Sequence, residues 1–129
     1  MARVLVPLAP GCEELEAVTV IDLLRRARIE VVTAGLAPGP VQGSRGTVLL
    51  PDSTLDAALQ QDYDMIVLPG GQPGATNLEQ DTRILALLKK MAAAGKMTPR
   101  TPLVNTATPE TAAARMIHLS ADARYLYPA

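Results

Sequence analysis

One cysteine, one histidine and a cluster of carboxylates hold most of the reactive chemistry in this 129-residue chain. Cys12 stands directly before Glu13, Glu14 and Glu16. At the start of a predicted helix the dipole favours a thiolate, but neighbouring Glu13 and Glu14 oppose one. The plainer reading, a small residue filling a loop, is preferred for Cys12. His118 is the single histidine and reads as a surface or helix-end residue. The stretch "MIVLPGGQPGATNL", residues 65–78, runs an apolar segment into Pro69, Gly70 and Gly71, with Gly74 close behind. Glycine is costly in backbone entropy, so such a cluster needs a reason, and a tight strand-to-helix turn is the simplest. The chain has neither a GxGxxG nor a P-loop pattern, so a nucleotide reading starts weak. Nothing in the pattern calls for a metal or a cofactor.

Alternating elements must position these residues. Arg3 to Leu8 reads as a strand closed by Pro10 and Gly11. Glu13 to Arg28 reads as a helix, with apolar Leu15, Val18, Ile21, Leu23 and Leu24 near helical spacing. Acidic residues in its first turn and Arg25, Arg26 and Arg28 in its last suit the helix dipole. Residues 29–35, "IEVVTAG", form a second strand, residues 37–46 a turn-rich segment with room for a short edge strand, and "TVLLP" another short strand. Thr54 caps a brief helix over Leu55 to Leu59, Met65 to Leu68 is a buried strand, and Asp81 caps a helix running to Gly95. This order predicts an α/β fold with a mostly parallel sheet. Ligands in such sheets bind beyond the carboxyl ends of the strands, so Ala9 to Cys12 and Pro69 to Asn77 should share one rim, with Gly11 and Gly70 at the same sheet edge.

Composition narrows the classes. The chain is 48% hydrophobic without Phe or Trp, so its core is built from Val, Leu, Ile, Ala and Met. A formal net charge of −1 without a basic tract disfavours nucleic acid. No apolar run approaches the roughly 18 residues of a membrane span. The start, "MARVLVPLAPG", is too short and proline-broken for a signal peptide. One cysteine cannot make an internal disulfide, which fits a reducing cytoplasm.

The segments "LAPGCEELEAVTVIDLLRRARIEVVTAGL", "VQGSRGTVLLPD" and "YDMIVLPGGQPGATNL" resemble, in order from Arg3 to about Gly95, the DJ-1/PfpI family, in particular its DJ-1-like bacterial branch. The resemblance implies a flavodoxin-like three-layer sandwich, usually a homodimer. It also implies cysteine-dependent glyoxalase or deglycase chemistry on small reactive carbonyls such as methylglyoxal, or on glycated groups, and chaperone or stress-response roles. It assigns Gly70 and Gly71 to a backbone hole for a developing oxyanion, a feature worth much in catalysis, and leaves Gly74 to the turn. It makes Glu16 the acidic partner of the nucleophile. A carboxyl in a cleft can be protonated at neutral pH and hydrogen-bond a thiolate; the plainer reading of Glu16 is a helix N-terminal acid. Arg26 and Arg45 match arginines near the family's dimer interface and active site; read alone, they are a helix-end charge and a loop charge.

The chain then departs from the pattern. Where the family places a cysteine on a sharp elbow, this chain continues "KMTPRTPLVNTATPETAAARMIHLSADARYLYPA". Residues 1–95 therefore read as the N-terminal part of the family's domain, and 96–129 as a divergent tail, either a genuine divergence or a shifted reading frame, in the same domain or partly disordered, with room for a strand, turn and helix in which Thr108 is the cap and Pro109 the first helical position. Aligning Pro109 with the family's proline puts Thr106 at the nucleophile position, where a hydroxyl needs a general base that a thiol does not. The fold is expected to be incomplete at its C-terminus, leaving Val31, Val67 and Leu68 poorly covered. Three functional readings stand: a DJ-1-type enzyme impaired by loss of its thiol, a non-catalytic DJ-1-like chaperone or binding module, and a flavodoxin-like small-ligand domain.

Overall fold

The computed structural model describes residues 2–93. The readings for Thr106, Thr108, Pro109, His118 and the tail from Lys96 lie outside them. The sheet is built from β1 (Arg3–Leu8), β2 (Glu30–Gly35), β5 (Ser53–Thr54) and β6 (Met65–Ile66), in the order β5-β2-β1-β6 with every pairing parallel. A separate antiparallel hairpin pairs β3 (Val41–Gln42) with β4 (Val48–Leu49). Helices α1 (Glu14–Arg26), α2 (Leu55–Ala58), α3 (Gly74–Gln80) and α4 (Thr82–Ala93) follow or link the strands.

Val4 to Leu8 of β1 are all buried. Side chains alternate faces along a strand, so both faces of β1 are covered, as a central parallel strand between helical layers requires. Val4, Leu5 and Val6 join Val31, Ile66, Val67 and Leu68 in one core with Leu78, Ile84, Leu88 and Met91 from α3 and α4. The expected exposure of Val31, Val67 and Leu68 is therefore not found: they are 7%, 2% and 0% exposed. The α3–α4 pair supplies apolar side chains to the core that these strand residues join.

Local chemistry explains the boundaries. Glu13 caps α1 by accepting the Glu16 N–H at 2.7 Å, so the helix proper begins one residue later than the charge pattern suggests. It ends at Arg26, and Arg28 turns out with φ 61°. Ala17, Val20, Ile21 and Leu24 form its inward stripe, whereas Leu15, Val18 and Leu23 are exposed. Thr54 caps α2 through the Ala57 N–H, and Asp81 accepts the N–H groups of Arg83 and Ile84 at the start of α4. Helix α3 occupies part of what reads as a loop: Gly74, expected to serve a turn, is its first residue. Its sequence favours no helix and Pro73 gives no side-chain cap, so burial of Ala75 and Leu78 must hold it. Arg83 ties α4 to its surroundings, reaching Asp81, Asp56 and the Leu36 carbonyl at 2.7, 3.0 and 2.8 Å.

Candidate functional site

The carboxyl ends of β1 and β6 do share one rim. Main-chain bonds lace it together: Glu13 N–H to the Gly70 carbonyl at 2.8 Å, Gly11 N–H to that of Gln42 at 2.8 Å, and Ser44 N–H to that of Cys12 at 2.8 Å. The Asn77 side-chain amide adds a bond to the Pro10 carbonyl at 2.8 Å. Gly11 and Gly70 thus lie at the same sheet edge, as expected.

Glu16 faces this rim, because the first turn of α1 starts directly above it. Its Oε2 accepts the Gly70 N–H at 2.7 Å. Gly70 is therefore engaged with the carboxylate rather than presenting its N–H to a ligand. Gly71 differs: its φ is +93°, and a Cβ there would lie 2.5 Å from the Glu13 nitrogen and 3.0 Å from the Cys12 carbonyl carbon. Gly74 is also a close-approach residue, since a Cβ would lie 2.6 Å from both Cys12 Cα and its nitrogen. Two of the three glycines thus let the loop press against residues 11–13.

Cys12 is buried, with no exposed surface. Burial, reinforced by the charges of Glu14 and Glu13, pushes its thiol up to about 11 despite a favourable backbone hydrogen bond. The thiol is packed into the loop and held protonated rather than activated.

Glu14 was legible only as a helix N-terminal acid, and the structure gives it another task. Its carboxylate reaches the β3–β4 turn, accepting the Ser44 hydroxyl at 3.2 Å, the Arg45 N–H at 3.1 Å and the Thr47 N–H at 3.0 Å. No sequence signal near Glu14 points to a partner thirty residues away. Partial burial opposes ionisation here, but hydrogen bonds from its own N–H and from Thr47, Arg45 and Ser44 outweigh it and hold the carboxyl at about 2. A depressed folded-state value stabilises the fold above the ordinary carboxylate range and loses that contribution as pH falls through the folded value. The stability gap between the chain and a Glu14→Gln variant should therefore be full above pH 5 and close between about 4.5 and about 2. Urea titrations across that range measure it; a gap independent of pH would contradict it.

Arg45 sits on that turn, exposed, its guanidinium reaching the Ser44 carbonyl at 3.5 Å. Arg26 pairs with Asp22 at 2.9 Å one helical turn back. Glu14, which anchors the turn bearing Arg45, and Arg26 stand at opposite ends of α1, about 18 Å apart along its axis at 1.5 Å per residue. One chain does not bring the two arginines together. Among the described residues no group of three or more His, Cys, Asp or Glu is placed to hold a metal ion, and no helix is long and apolar enough to cross a membrane.

The family model for the DJ-1/PfpI family matches residues 2–99. The chain belongs to the DJ-1/PfpI family. The Parkinson disease protein 7 homolog of Danio rerio is 49% identical over 89 residues, covering 67% of this chain and 47% of that protein. The glutathione-independent glyoxalase DJR-1.2 of Caenorhabditis elegans is 33% identical over 94 residues, covering 73% of this chain and 50% of its own length. Oxidized DJ-1 of Toxoplasma gondii superposes with a TM-score of 0.72 at 42% identity, covering 75% of this chain and 53% of that one. The chain thus spans about half the length of these DJ-1 relatives. Its flavodoxin-like fold, with a mostly parallel sheet flanked by helices, is that of the family.

Proposed function

We propose that the rim around Glu16, Gly70 and Gly71 is the carboxylate-and-loop part of a DJ-1-type site for small reactive carbonyls or glycated groups, and that this chain does not turn such compounds over. The glyoxalase name belongs to the worm relative and comes here only as the substrate class. The carrying observation is the state of the thiol. Cys12 is the chain's one cysteine, it is fully buried, and its pKa is raised to about 11. A thiolate attacking a carbonyl carbon needs an accessible, deprotonated sulfur, and Cys12 is neither. In this reading Glu16 fixes the Gly70 loop, Gly71 keeps the oxyanion role, and Thr106 stands at the nucleophile position. Methylglyoxal consumption by the purified chain is the test. Robust turnover that survives Cys12→Ala would overturn the reading.

A second reading is favoured by the surface. Leu15 and Val18, neighbours on α1, are 73% and 46% exposed, Leu23 further along the helix is 59% exposed, and Val48 and Leu50, in and just after the hairpin that Glu14 ties to the first turn of α1, are 62% and 78% exposed. A cluster of large exposed apolar side chains marks an association surface. A homodimer built on it suits the family. Two copies packed antiparallel through α1 would set Arg26 of one against the Arg45 end of the other. The non-catalytic binding role then rests on this surface rather than on chemistry.

A further inference from the structure

The β3–β4 hairpin belongs to no larger sheet among the described residues. Two short strands are marginal on their own, so something outside the hairpin must hold it. Two backbone bonds, from Gly11 N–H and Ser44 N–H, fix one strand and the entry to the turn. The turn closes on itself through Gly43 N–H to the Thr47 carbonyl and Gly46 N–H to that of Gly43, and the side chain that ties Ser44 to Thr47 to the rest of the fold is that of Glu14. The sequence makes room for it. Gly43 lies against the Glu14 side chain so closely that a Cβ there would overlap Cγ and Cδ and lie 2.7 Å from Oε2. That glycine does not have a positive φ, so space for Glu14 accounts for it without any demand of turn geometry.

We propose that Glu14 is a positioning residue for the association surface: its carboxylate locks the Ser44–Thr47 turn against the first turn of α1, so that Val48, Leu50 and Arg45 are presented in fixed relation to Leu15 and Val18. The inference rests on the reading of this face as the homodimer surface. Glu14 itself is only half-buried and contributes little apolar area; it acts through the main chain of residues 45 and 47. The same carboxylate precedes Glu16 by two residues, yet Glu16 bonds to Gly70 on the other loop. Loosening the hairpin should therefore leave the Glu16–Gly70 bond in place.

Amide hydrogen exchange and sedimentation of the full chain test this together, using Glu14→Gln and, separately, Leu15→Arg. In Glu14→Gln the amides of Arg45 and Thr47 should exchange at least tenfold faster, the Gly70 amide should be unchanged, and the dimer dissociation constant should rise about tenfold. Equal acceleration at all three amides, or at none, overturns the positioning role. Faster exchange with an unchanged dissociation constant, where Leu15→Arg does abolish the dimer, overturns the link to association. If Leu15→Arg leaves self-association intact, the surface reading fails, while the exchange pattern still decides what Glu14 does to the turn.

Discussion

Methylglyoxal mixed with the purified chain should disappear no faster than it does with a protein that has no reactive thiol, and Cys12→Ala should leave that rate unchanged. With a pKa of about 11, the Cys12 thiol is ionised to roughly one part in ten thousand at pH 7, and its sulfur is closed to solvent. A hydroxyl at Thr106 offers no remedy, because it needs an adjacent base. Glu16, the carboxylate fixed at this rim, is bonded to Gly70. Loss of a nucleophile typically costs on the order of 10⁴ to 10⁶ in rate. The effect is large enough for a simple absorbance assay to decide. Thr106→Cys is the complementary variant: measurable consumption from it would place residue 106 at the elbow.

Gly71→Ala should be strongly destabilising for a single-methyl change. The residue sits at φ +93°, where a side chain is strained, and the added Cβ would meet the Glu13 nitrogen at 2.5 Å. That neighbour is main chain, and its N–H holds the Gly70 carbonyl, so it cannot swing aside as a side-chain tip can. Strain and overlap together should cost about 3 kcal/mol or more, roughly a 15 °C fall in melting temperature for a domain of this size. Gly39→Ala provides the control. Its φ is also positive, at +99°, but a Cβ there meets nothing within 4 Å, so it should show the strain alone, about 1 kcal/mol. Thermal melts of the two variants giving equal shifts would mean that the packed contact between the loops is unimportant.

Most of the architecture could be read from periodicity and punctuation. β1 and β2 appear where β-rich runs meet Pro10, Gly11 and Gly35, and Thr54 and Asp81 cap the helices their positions imply. Helix α3 could not be read, because Gly74, Thr76 and Asn77 are poor helix formers whose helical state depends on tertiary burial of Ala75 and Leu78. The apolar spacing of α1 was visible, but not its division into a buried stripe through Ala17 and Leu24 and an exposed one through Leu15 and Val18. That division depends on which side the sheet lies. At the site, Glu16 stood out only through family resemblance, and its neighbour Glu14 not at all. Two carboxylates two positions apart on one helical turn look alike in sequence, and only the loops they meet tell them apart.

The lacing of the rim also bears on the order in which the molecule assembles. Its bonds join the loop after β1 to residues past 40 and past 70, so each closes a long stretch of chain before it can form. The β1–β2 pairing, with α1 docked onto those strands, joins residues 27 apart, against 57 for the Glu13–Gly70 bond beside Gly71, so it needs the shorter closure. A nucleus drawn from β1, α1 and β2 would be in place at the transition state while the rim is still open. Substitutions at Gly71 should then leave the folding rate nearly unchanged and act by hastening escape from the native state. A folding limb slowed in proportion to the lost stability would place rim closure before the barrier instead. If the rim does close last, the segment that carries Glu16 against Gly70 is also the first to open, and the lifetime of the site is set by the unfolding rate rather than by the depth of the core.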